Sequence, residues 1–275
     1  MADEIDFYAE PGPLTELDPA LESLVAPIPA DVPGVCGVVQ ALVIQPADAA
    51  ELGLPEERQS ERSIRRAAEL IAVLAALDGA PFQERRPPGR RVIGTCRHFA
   101  TLSCALLRYR GIAARARCGF ATYFVPGRSV DHWVIEYWHP GDRRWVRADT
   151  EILGLDLVPE PGDLRPGEFL TGGEAWDRCC RGDADPGSFG VYGTENWGPA
   201  EIRGNAVRDL AALNKVEMLP WDSWGQMEAS YDGETGADYD ELIDTVAAVC
   251  ASADHAAIRA LYASDGLPVP ADLIR

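Results

Sequence analysis

Between Thr95 and Gly111 the apolar residues Phe99, Leu102, Leu106 and Tyr109 recur at three- and four-residue intervals, which predicts a helix with one buried face. Thr95 suits its N-cap, Gly111 its left-handed C-terminal stop, and Arg108 and Arg110 the negative end of its dipole. A second helix is predicted from about Pro55 to Leu77, with Ile64, Ala67, Leu70, Ile71 and Leu74 apolar. Val35 to Ile44 is apolar and reads as a strand or a short helix. Ala113 to Val125 alternates as a strand, with Arg115, Arg117, Gly119 and Ala121 on one side.

Residues 131–151, DHWVIEYWHPGDRRWVRADTE, read as a hairpin, because His139-Pro140-Gly141-Asp142 has turn chemistry between two β-rich runs. With the turn centred between Pro140 and Gly141, His132 falls opposite Asp149, Val134 opposite Arg147 and Glu136 opposite Trp145. Residues 155–205 are rich in Gly, Pro and Asp and read as a long loop, which its aromatic residues Phe169, Trp176, Phe189, Tyr192 and Trp197 should order. Helices follow at Val207–Val216, Asp238–Ala251 and Asp254–Ala263, the last two forming a helical hairpin. The expected class is α+β: a helix packed on an antiparallel sheet, with a C-terminal helical extension. The expected organisation is a surface-wrapping segment at 1–54, a core at 55–155, and a loop-rich and helical extension at 156–275 packed on that core.

The chain of 275 residues is 47% apolar, enough for a full core. Its net charge of −19 argues against nucleic acid, whose phosphates need a basic surface, and against an anionic membrane surface. No apolar run reaches the ~18 residues of a membrane span. The acidic start MADEIDFYAEPG lacks the basic-then-apolar order of a secretory signal, so a cytoplasmic location is expected. The seven cysteines show no metal-ligand spacing and are expected to be reduced, with no metal and no cofactor.

Against this background three residues stand out. Cys96 occupies the first turn of its helix, where free amides and the dipole favour a thiolate and can stabilise an oxyanion. His132 and Asp149 share one face of the predicted hairpin, so the carboxylate can bond one imidazole nitrogen and leave the other for the thiol. Asp131 points to the opposite face, and Glu151 lies past the strand end. His98 projects about 200° around the helix from Cys96 and cannot easily serve it. Trp133, Asn196 and Trp197 are candidate substrate contacts, although Asn196 and Trp197 read more readily as anchors of a long loop.

The residues Cys96-Arg97, Leu107-Arg108-Tyr109-Arg110-Gly111-Ile112, Cys118-Gly119-Phe120, Asp131-His132-Trp133-Val134 and Trp145-Val146-Arg147-Ala148-Asp149 resemble the transglutaminase-like superfamily in order and spacing. The resemblance covers about residues 60–155. The stretch from Val207 to Lys215 and on to Gly225 looks like the C-terminal part of some bacterial members. It implies a papain-like core with Cys96 as nucleophile, His132 as base and acid, and Asp149 as the residue that orients the base. The second oxyanion donor of such enzymes has no firm match; Gln83 is the nearest candidate. No calcium-loop pattern is present.

The resulting expectation is a cysteine acyltransferase or hydrolase. It would attack a small-molecule or peptide amide or ester and pass the acyl group to water or to an amine acceptor. Two alternatives stand beside it: a non-catalytic binding module on the same fold, and an interaction protein whose acidic surface meets a basic partner.

Overall fold

A computed structural model describes residues 2–252 and 254–274. In chain order the helices and strands are α1 (Ala2–Ala9), α2 (Glu22–Val25), α3 (Val32–Leu42), β1 (Val43–Ile44), α4 (Pro46–Glu51), α5 (Ala67–Leu77), β2 (Val92–Ile93), α6 (Cys96–Tyr109), β3 (Ala114–Ala121), β4 (Ser129–His139), β5 (Arg144–Ala148), β6 (Phe169–Thr171), α7 (Gly172–Cys180), β7 (Phe189–Gly190), α8 (Pro199–Leu213), α9 (Met227–Tyr231), α10 (Ala237–Ala251) and α11 (His255–Tyr262). The fold is α+β, as the pattern of the chain predicts. The main sheet has the strand order β5-β4-β3-β6, with β7 pairing β4. The chain divides into two compact units. One comprises Met1–Ala116, Val134–Asp156 and Glu160–Asp163; the other comprises Arg117–Trp133, Leu157–Pro159 and Leu164–Arg275.

The first unit is built around α6. Residues 96–108 are all buried, and the helix packs against α1, α3 and α5. Its C-terminus ends as the sequence predicts: Gly111 is left-handed (φ 71°), and the amides of Gly111 and Ile112 donate to the carbonyls of Arg108 and Leu107. The loop before Cys96 is ordered by Arg86. Its buried guanidinium donates to the carbonyls of Leu74, Asp78 and Ala80 at 2.6–2.9 Å, covering the end of α5.

Buried charge ties the N-terminal helix to this unit. Arg115 bonds Glu136 (2.7 Å) and Glu4 (3.1 Å), Arg147 bonds the other oxygen of Glu136 (2.8 Å), and the Trp145 indole donates to Glu4. The Arg115 guanidinium lies 4.1 Å from the centre of the Trp145 ring and 5.2 Å from that of Tyr8.

Of the two readings open for Val35–Ile44, helix holds, with strand only at its last two residues. Other expectations are corrected. Pro55–Leu77 is not one helix: 3₁₀ turns over Glu56–Ser63 give way to extended backbone at Ile64 and Arg66 before α5 begins. The extended break has a use, because it frees the Ile64 carbonyl to accept from the His98 ring.

The hairpin is also two residues out of the expected register. Ile135 faces Ala148, Glu136 faces Arg147, Trp138 faces Trp145 and His139 faces Arg144. The turn takes four residues, with Arg143 left-handed (φ 53°) and the Asp142 amide donating to the His139 ring, so its centre lies one residue later than the Pro-Gly pair suggests. A shift of two preserves which face each side chain occupies. Asp149 lies beyond the end of β5, and its amide donates to Pro161 instead.

In the second unit β6 pairs antiparallel with β3, and β7 runs parallel to the first residues of β4. Helices α7, α8 and α10 pack on one another. A Cβ on Gly172 would stand 2.2 Å from the Ala206 backbone, so glycine there lets α7 and α8 approach closely. Helix α7 lies within the segment expected to be a loop. It carries a reciprocal cap between Thr171 and Glu174, a signature that is present in the sequence as Thr-Gly-Gly-Glu.

Removing one partner from the buried charge network leaves the others stranded. Glu136→Ala should therefore cost about 3–5 kcal/mol, read from the urea midpoint. The triple change Glu4→Gln, Arg115→Met and Glu136→Leu, which takes out Arg115 together with both of its carboxylates, should recover most of that loss.

Candidate active site

Cys96 is the first residue of α6 and is 7% exposed. The start of its helix is fixed by an imidazole. The Thr95 amide donates to His98 Nδ1 (3.0 Å), and His98 Nε2 lies 3.0 Å from the Ile64 carbonyl, so the ring proton is on Nε2. Complete burial, with the neighbouring Arg97 charge, pushes the His98 pKa down to about 3 and keeps the ring neutral. His98 thus closes the cap from the position where Glu or Gln is usual, and it is a structural residue, as its direction on the helix implies.

The Asp149 segment is bound to the same unit. Asp149 is 1% exposed and accepts the Glu151 amide at 2.9 Å. Thr150 and Ser103, the latter two turns along α6 from Cys96, share a hydroxyl hydrogen bond of 3.0 Å. Cys36 of α3 also meets this segment. Burial pushes its thiol up to about 11 with the Asp149 charge adding to the effect, while a hydrogen bond from Thr150 opposes it.

Gln45 is a site residue that sequence reasoning missed. The parallel pairing of β1 and β2 sets Ile44 beside Ile93, and the Gly94 amide donates to the Ile44 carbonyl. Gln45 is thereby brought next to the strand that leads into Cys96, and its amide donates to Glu151 Oε1 at 2.7 Å. No local signal could have found it, because the pairing joins two strands of two residues some fifty positions apart. Gln83, the sequence candidate for an oxyanion donor, lies exposed in the preceding turn.

His132 belongs to the second unit. It is 2% exposed on β4, with Phe124 and Tyr123 edge-on at 5.0 and 6.2 Å between ring centres. Its neighbour Asp131, on the opposite face of the strand, accepts from Asn205 Nδ2 at 2.7 Å. Asn205 also bonds the Gly119 carbonyl and accepts from Arg208. Burial, and then the charge of Glu201, raise the Asp131 pKa to about 7, against the opposing effects of Arg208, Asn205 and His132.

The proposed substrate contacts fall in different places. Trp133 is fully buried. Trp197 is half-buried: its indole donates to the Thr194 carbonyl, Arg128 lies over its ring at 4.7 Å, and it packs so close to Gly190 that a Cβ there would stand 2.4 Å away. Asn196 is exposed and lines a cavity of about 410 Å³. None of the seven cysteines forms a disulfide. No helix among the described residues is long and apolar enough to cross a membrane.

Residues 82–150 match the family described as the transglutaminase-like superfamily, so the segment carrying Cys96, His132 and Asp149 is transglutaminase-like. No curated protein matches the chain. Among solved structures, the chain is similar to a protein from Cytophaga hutchinsonii described as a putative cysteine protease, at 20% identity and a TM-score of 0.37 over 58% of this chain. The similarity spans 45% of that protein's length.

Two titrations follow from the site. The His98 ring should stay neutral, with its proton on Nε2, down to about pH 4, as read from its nitrogen resonances. Asp131 titrates near ~3.9 when unfolded, so its raised native value gives stabilisation that is complete below about pH 4 and lost as pH rises through about 7. Asp131→Asn should therefore lose less stability than the wild type between about pH 5 and pH 8, by on the order of 2 kcal/mol in urea unfolding.

Proposed function

We propose that the protein is a cysteine-dependent acyl-transfer enzyme in which Cys96 is the nucleophile, His132 the base and acid, and Asp149 the residue that orients the imidazole. The observation that carries this reading is the placement of Cys96 at the first turn of a capped and wholly buried helix. At that position the positive end of the helix dipole favours a thiolate, and first-turn amides can stabilise an oxyanion. The anchored Asp149 segment and the family match over residues 82–150 support it further.

In the proposed cycle His132 takes the thiol proton and the sulfur attacks the carbonyl carbon of an amide or ester. The C–N or C–O bond then breaks as His132 returns the proton to the leaving group. Water or an amine, deprotonated by the same imidazole, attacks the thioester carbon and releases the thiolate. Asn196 and Trp197 belong to the substrate side of this reading, and Trp133 supports the His132 strand from within. Soluble, cytoplasmic action on a small molecule or peptide remains part of the proposal.

The chemical environment of the other thiols makes the reading testable by alkylation. Burial raises Cys36 and Cys179 to about 11, and Cys180 is raised as well. At about pH 7 an activated Cys96 should therefore react first, and His132→Ala should abolish that selectivity. If Cys96 is no more reactive than Cys104, the site is not activated and the binding-module alternative gains. Cys96, His132 and Glu151 are also donor types that a zinc ion accepts, so turnover abolished by a chelator and restored by zinc would overturn the triad.

In turnover assays Cys96→Ala should remove activity while preserving the fold. His132→Ala should lower kcat by about 10²–10⁴-fold, and Asp149→Ala by less, since it holds the base and carries no proton.

A further inference from the structure

The second unit contains a polar cavity that Asn196 shares with the acyl-transfer reading, but whose floor has no role in it. Its volume, about 410 Å³, is in the range of small-ligand sites. The floor is made by Glu201 and Arg208 of α8 and Tyr231 of α9, and the walls include Asn196, Pro220 and Trp221. Gly204 lies beside this floor, where a Cβ would stand 2.8 Å from the Tyr231 hydroxyl and 2.9 Å from Arg208. A larger residue at 204 would push the Tyr231 and Arg208 ends apart.

The hydrogen bonds of the floor determine what it can offer. Every nitrogen of Arg208 already donates: Nη1 to Glu201 (3.3 Å) and Asn205 (3.0 Å), Nη2 to Tyr231 and the Asp222 carbonyl, and Nε to the same carbonyl. The Tyr231 hydroxyl donates to Glu201 Oε2 at 2.8 Å. What remains toward the cavity is acceptor capacity, since each carboxylate oxygen of Glu201 receives one bond and can take another. The acidic side chains that act on the Arg208 charge are Glu201, 3% exposed, and Asp131. The wall adds Trp221, 48% exposed, and next to the lining residue Val191 stands Tyr192, 72% exposed. These two are the aromatic members of the exposed large apolar side chains among the described residues.

A carboxylate with open acceptor capacity beside an aromatic wall is suited to an ammonium group on a planar apolar body. Arg208, whose nitrogens all donate within the protein, has no donor left for an anion. We propose that this cavity is a binding site for a small primary amine in its ammonium form, with the nitrogen on Glu201 and the apolar body against Trp221. The proposal concerns binding and does not depend on the triad: Cys96→Ala should bind the amine as well as the wild type does.

The test is calorimetric titration of the whole protein with 2-phenylethylamine, and with 2-phenylethanol and 3-phenylpropanoate as the neutral and anionic counterparts. The amine should bind saturably at one site, about tenfold or more tighter than the alcohol, with no binding of the carboxylate. Trp221→Ala, at a half-exposed position outside the core, should weaken the amine about tenfold, and Glu201→Gln should abolish its advantage over the alcohol. Absence of saturable amine binding overturns the proposal. So does equal affinity for amine and alcohol, or an amine affinity unchanged by Trp221→Ala. If Glu201→Gln does not fold, the amine–alcohol comparison and Trp221→Ala decide the matter.

Discussion

A helix buried along nearly its whole length has few solvent partners for its polar groups, and α6 pairs several of them with segments far away in the chain. His98 takes the Ile64 carbonyl, Ser103 takes Thr150, and Arg108 takes Thr15 and the Ala114 carbonyl. An unpaired buried polar atom costs on the order of 1–3 kcal/mol, so each of these bonds fixes the position of a partner segment as much as it stabilises the helix. The extended break at Ile64, the docking of residues 149–151 and the ordering of the N-terminal segment at Thr15 all follow from that one demand. Cys96, the proposed nucleophile, inherits the result: a backbone position held against fraying, because its cap is closed by a ring that is itself held at both nitrogens.

The second unit solves a different problem with charge. Arg117 forms a bidentate pair with Asp209 at 2.7–2.9 Å, and Arg208 gathers Glu201, Asn205 and Tyr231 around it. Such groups contribute little net stability, because desolvation offsets attraction, but breaking them is costly and so they specify one arrangement. Here the arrangement reaches the strand that holds His132. Asn205 bonds Asp131 on one face of β4, and because side chains alternate, His132 is presented on the other. One network therefore fixes the backbone that carries the proposed base while leaving that residue's own face for chemistry.

What the sequence showed, and what it did not, divides along the range of the interactions involved. Helix α6, its Thr95 cap and its Gly111 stop were legible because periodicity and capping act within a few residues. The hairpin and the faces of its strands were legible, but its register was not. Pro-Gly marks a turn without fixing its length, and the turn closes with Arg143 in the left-handed region, which sequence does not favour. Helix α7 had a local signature in Thr171 and Glu174 that the surrounding Gly, Pro and Asp concealed. The break at Ile64 had none, since its cause is a histidine 34 residues downstream. Gln45, Asp131 and Arg208 likewise draw their roles from partners that only the fold supplies.

The same distinction bears on the candidate site. Cys96 and Asp149 are set by one unit and His132 by the other, so the sequence motif joins three residues whose placement has two separate physical origins. On the first side the constraint is satisfaction of polar groups around a buried helix. On the second it is a charge network with a carboxyl poised between protonation states near neutrality. A substitution in the α8 network should then act on His132 and leave the environment of the Cys96 thiol intact. Asn205→Ala is such a change: it removes the Asp131 bond and would alter the acid limb of a pH–rate profile while leaving His98 and the Thr95 cap undisturbed. A collapse of both together would mean instead that the two constraints are one, and that the network's first role is to hold the protein folded.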